Sequence, residues 1–127
     1  MIKIERTGII LHTQNYEQCV AFYRDILELK IEILSPDLTS FDFGGAYLMV
    51  EREGEANLLG KTKEQNPTVL RMNVVDVKQT TQLLRDKDVV VDYVEFDWGT
   101  VARFMDPDGN FIEFKDSEKF DLQIKSN

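Results

Sequence analysis

Two stretches of this chain carry the same order of signals 61 residues apart, and that repetition limits the available folds more than any single motif does. In the first, residues 9–13 (IILHT) alternate as a strand, and Asn15 opens NYEQCVAFYRDIL. Asn15 stands where a helix cap is needed, and Gln18 holds the capping-box position three residues on. Cys19, Phe22, Tyr23, Ile26 and Leu27 recur at helical spacing and form the apolar stripe of that helix. Three short strands are predicted next, over 31–34 (IEIL), 39–43 (TSFDF) and 46–51 (AYLMVE), punctuated by Pro36 and Gly44-Gly45. In the second stretch VLRMNV at 69–74 alternates, Asp76 and Gln79 repeat the cap and box, and strands are predicted over 89–96, 100–105 and 111–114. Setting Asn15 on Asp76 also places Phe22 on Leu83 and Arg24-Asp25 on Arg85-Asp86. Shared residues are few, so the matching order of elements carries the inference. The fold class is α+β: two βαβββ modules, about 7–52 and 67–115, joined by a polar linker over 53–66. A tail over 116–127 follows, either frayed or a short helix packed on a neighbour through Phe120, Leu122 and Ile124.

Composition narrows the partners. A chain of 127 residues, 43% of them hydrophobic, suits one domain with a real core. Fifteen basic against 23 acidic residues give a net charge of -8, which repels phosphate backbones and anionic membrane surfaces, so neither nucleic acid nor a membrane is an expected partner. The opening MIKIERTGIILHT holds charges at Lys3, Glu5 and Arg6 and no long apolar run, consistent with a cytoplasmic location. Cys19 is the one cysteine, so no internal disulfide is expected, and with one histidine there is no Cys/His zinc cluster. Cys19 reads as a small core residue.

The helix AFYRDIL, followed near the end of the chain by DPDG running into FIEF, resembles the vicinal oxygen chelate superfamily. This group includes glyoxalase I, extradiol dioxygenases, fosfomycin-resistance enzymes and bleomycin-resistance proteins. The resemblance spans about residues 7–114. One departure is Glu28, which stands where the family usually has glycine; a left-handed cap made by a residue other than glycine is expected there. The resemblance implies a sheet from each module, the two forming a cup with helices outside and a ligand cleft inside. In VLRMNV, Val69, Arg71 and Asn73 share one face and Leu70, Met72 and Val74 the other, so the polar face is expected to line the cleft.

Metal-dependent members draw up to four ligands from the first and fourth strands of each module. Those positions fall here on Gly8, Met49, Val69 and Glu113, of which Glu113 alone can ligate a divalent ion. No metal cofactor is therefore expected. A displaced set of His12, Glu51 and Glu113 is the alternative, with His12 and Glu51 one or two strand steps of ~7 Å from the family's positions.

Eight residues are assigned to ligand binding: His12, Tyr47, Met49, Arg71, Asn73, Trp98, Phe111 and Glu113. Arg71 either pairs with Glu113 or receives an anionic ligand group, Asn73 adds a donor and an acceptor, and the rings suit a planar or cationic small molecule. The function expected is a metal-free binding protein of the bleomycin-resistance type, which the resemblance implies is a homodimer. The alternative is a lyase, isomerase or dioxygenase-like enzyme in which Glu113, set among apolar Phe111, Met49 and Val69, acts as general base and Arg71 as electrophile. A third reading is a degenerate domain acting through protein contacts alone.

Overall fold

The repeated signals fold as two copies of one motif. The computed structural model describes residues 1–54, 56, 59–62 and 64–126, in two compact units, Met1–Lys61 and Thr62–Asn127. In unit 1, β1 (Gly8–Thr13) leads into α1 (Tyr16–Ala21), which continues as a π-helical turn over Phe22–Ile26. Strands β2 (Ile31–Leu34), β3 (Leu38–Phe43) and β4 (Ala46–Arg52) follow. The sheet order is β1-β4-β3-β2, with β1 parallel to β4 and the other pairs antiparallel. Alternation decides which face meets the helix: Leu11, Phe41, Leu48 and Val50 are buried with Cys19, Phe22 and Tyr23. Tyr23 meets Phe22 edge-on at 5.4 Å and Phe41 at 6.0 Å.

Unit 2 repeats the scheme with β5 (Val69–Val74), α2 (Val77–Arg85), β6 (Asp92–Phe96), β7 (Gly99–Met105) and β8 (Phe111–Asp116), in the order β5-β8-β7-β6. Leu70, Ala102, Phe104, Ile112 and Phe114 form its core with Val77 and Leu84 of α2. The chain from 117 to 125 is not frayed. It forms α3 (Ser117–Lys125), which packs on β5 and β8 with Leu122 and Ile124 exposed.

Several expectations need correction. Asp76 caps α2 by accepting from the Gln79 N–H at 3.0 Å, but the Asn15 side chain makes no such bond to α1. Strand β6 begins at Asp92 rather than 89, because the Val89 N–H closes α2 by reaching the Leu84 carbonyl with Asp88 in the left-handed region, φ 62°. Phe22 and Leu83 are not equivalent in packing, since Phe22 is buried and Leu83 exposed. The buried pairs at a shift of 61 are Tyr16 with Val77, Val20 with Thr81, and Tyr23 with Leu84. Glu28 is the expected left-handed cap, φ 54°, and its counterpart Asp88 lies 60 residues on. The π-turn accounts for the odd residue: its wide Leu27 N–H to Phe22 carbonyl bond takes up one extra residue before the cap.

Candidate functional site

Burial along alternating strand positions puts one face of each sheet under α1 or α2, and strand parity sends the strand-borne expected ligand residues to the opposite face. In unit 1 the ladder sets Gly8 against Tyr47, Ile10 against Met49 and His12 against Glu51; in unit 2 it sets Val69 against Phe111, Arg71 against Glu113 and Asn73 against Lys115. Ile10 and Arg71 are related by the shift of 61, so their ladder partners Met49 and Glu113 are equivalent, as the duplication requires.

In unit 1 the position of Gly8 is closed as well as donorless. A Cβ there would run into the Tyr47 ring, which covers the glycine backbone and lies 5.5 Å from the Arg6 guanidinium. His12 and Glu51 do come together, Nε2 to Oε2 at 3.6 Å. A separate concavity of about 420 Å3 lies between the start of α1 and the β2–β3 turn, lined in part by Tyr16, Val20, Leu34 and Pro36. It includes none of the expected ligand residues, and its Arg52 is bound to Glu17 and Asp37.

In unit 2 three strands place side chains in rows across the face opposite α2. Met105, Phe111 and Val69 make one row, and Arg103, Glu113 and Arg71 the next. Glu113 is only 3% exposed, and guanidiniums engage both its oxygens: Arg71 Nη2 donates to Oε1 at 3.0 Å and Arg103 Nε to Oε2 at 3.4 Å. A buried carboxylate needs such partners. The sequence reading found Arg71 but missed Arg103. The signal was present in TVARFM, where alternation puts Val101, Arg103 and Met105 on the face opposite Ala102 and Phe104.

Asn73, exposed beside this row, makes no hydrogen bond among the described residues. Trp98 lies at the β6–β7 turn, stacked on Phe96 with centroids 4.7 Å apart. The fully buried Lys115 donates to its carbonyl at 2.9 Å and sits 4.5 Å from its ring centroid. Gly99 has to be glycine here: its φ is 151°, and a Cβ would meet the Lys115 amine. Trp98 thus staples the hairpin within its own unit. The loop before β8 is held by Asp106, whose Oδ1 accepts from the backbone of Asp108 and Asn110 at 2.9 Å each. Its Oδ2 accepts from the Asn110 side chain at 2.7 Å, so this acidic loop is structural.

A divalent ion does not fit the family's four positions in this chain. Gly8 is covered by Tyr47, Met49 and Val69 offer no hard donor, and Glu113 is already doubly paired. Among the described residues no group of three or more His, Cys, Asp or Glu could hold a metal.

Two βαβββ units, each with a four-stranded mixed sheet, define a protein of the vicinal oxygen chelate superfamily. The family model for the glyoxalase-like domain matches residues 7–119, and the chain belongs to that family. Among solved structures it resembles lactoylglutathione lyase from Agrobacterium tumefaciens, with TM-score 0.72 and 19% identity over 90% of this chain and 93% of that one. A glyoxalase/bleomycin resistance protein/dioxygenase from Nocardioides gives 0.70 and 16% over 91% and 85%. TnmS3, an antibiotic binding protein from Streptomyces sp. CB03234, gives 0.71 and 20% over 91% and 98%. No curated protein matches the chain by sequence.

Proposed function

We propose that this chain binds a planar organic molecule on the sheet face of unit 2 opposite α2, without a metal ion and without transforming it. The observation that carries this reading is the state of Glu113. A general base must be free to take a proton, yet both oxygens of this carboxylate are held by guanidiniums, and protonation would break an ion pair in a buried place. The lyase, isomerase or dioxygenase-like alternative would use that same carboxylate and is disfavoured for this reason. Next to it Met105 and Val69 are about half exposed and Phe111 partly so, an apolar row available to a flat ligand. The structural likeness to an antibiotic binding protein supports a small organic ligand. Homodimer formation belongs to the same proposal and is checked by the mass of the protein in solution.

Glu113→Gln tests the role of the acid. The substitution keeps an oxygen acceptor and removes the base, so binding of aromatic probes should fall no more than severalfold. Turnover of a 2-oxoaldehyde hemithioacetal or a catechol by the parent protein, lost in the variant, would instead establish Glu113 as a catalytic base.

A further inference from the structure

We infer that the ligand carries an oxyanion, a carboxylate or its phosphate or sulfonate equivalent, received by Arg71 and Arg103 while its flat apolar body lies on Met105, Phe111 and Val69. The inference rests on the binding reading above and adds the charge of the ligand. Each guanidinium has five N–H donors, and each gives one to Glu113. Neither makes any other hydrogen bond among the described residues, and their side chains are 38% and 48% exposed. Glu113 thus works as an internal anchor. It fixes two cations at one place on the sheet, while most of their donors stay available in the fork geometry that matches an oxyanion.

Charge on the face points the same way. Across the registered strands Arg71 and Arg103 stand against Glu113 and Asp92, so this row is balanced within a chain of net charge -8, and its central acid is buried while both guanidiniums are partly exposed. Asp92, opposite Arg103 in register, makes no ion pair with it among the described residues. A cationic ligand would meet the two guanidiniums before it reached the buried carboxylate. The apolar row and the charged row lie two residues apart along each strand, ~7 Å, so the ligand is amphipathic over about that distance.

Two probes that differ only in charge, 2-naphthoate and 2-naphthamide, test this when titrated into the protein by calorimetry at low ionic strength. About tenfold tighter binding of 2-naphthoate is expected, and added salt should weaken it while leaving 2-naphthamide unchanged. Arg103→Gln and Arg71→Gln each leave Glu113 one guanidinium partner, so the fold should hold. Each variant should lose most of the preference for 2-naphthoate over 2-naphthamide, and a variant that keeps the parent's full preference would overturn the assignment of that arginine. Equal affinity of the parent for both probes, or a salt-independent preference, would overturn the oxyanion inference alone. Binding of neither probe would overturn both it and the binding reading.

Discussion

At the scale of single residues, the positions that would hold a metal in this family have been given other work. Glu113 anchors two arginines, and Gly8 makes room for a ring. Gly8→Ala should force Tyr47 from its seat at a cost of about 1–3 kcal/mol, measured by urea unfolding; a variant as stable as its parent would show that the ring moves freely. The residue types at Gly8, Met49, Val69 and Glu113 were legible in the sequence, and strand parity alone put Arg71 beside Glu113. Arg103 was harder to see, because its place beside Glu113 follows from the β7–β8 register. That register depends on how the loop at 106–110 closes through Asp106, a contact the strand pattern does not contain.

At the scale of elements, the duplication sets the order of helices and strands and also exposes one misfit. Val20 and Thr81 hold the same buried place on α1 and α2, but the Thr81 hydroxyl is, among the described residues, the buried side-chain atom without a hydrogen-bond partner. Thr81→Val copies the solution of unit 1 and should stabilise the protein by about 1 kcal/mol in denaturant unfolding; a loss of stability would mean the hydroxyl has a partner in solution. Asp116 makes a second case, since it ends β8, caps α3 through the Lys119 N–H and also accepts from the Thr100 N–H. Burial pushes its carboxyl upward, but these two backbone donors, with the nearby Lys115 amine, outweigh that and hold it below its ordinary value. A lowered carboxyl stabilises the fold above the unfolded value of about 3.9 and loses that contribution as pH falls through its lower folded value. Asp116→Ala should therefore fray α3 at neutral pH, at a cost of about 1 kcal/mol, and the gap from the parent should close in strong acid. Amide exchange of α3 and acid titration of unfolding check this, and a gap that persists at the lowest pH would contradict it. The cap at Asp76 was legible because capping chemistry is local, and the left-handed residue at Glu28 because the family resemblance places a helix end there. The π-turn and the late start of β6 were not, because each is settled by how a helix end closes onto its last turn.

At the scale of the whole molecule, family membership establishes the fold, while the side chains on it decide the chemistry. Among the described residues no helix is long and apolar enough to cross a membrane. The two modules were readable from the order of signals, since the hydrophobic period changes wherever helix gives way to strand. The nature of the ligand was less readable: an acidic chain with many rings suggested a cation, but pairing across β5, β8 and β7 surrounds the one central acid with arginines. The central claim is binding without a metal. Its most direct test is a calorimetric titration of the metal-stripped protein with 2-naphthoate, repeated after adding one equivalent each of Zn, Ni, Mn or Fe(II). Saturable binding that is the same with and without each ion is the expected result, whereas binding that appears only when one of those ions is present would contradict it.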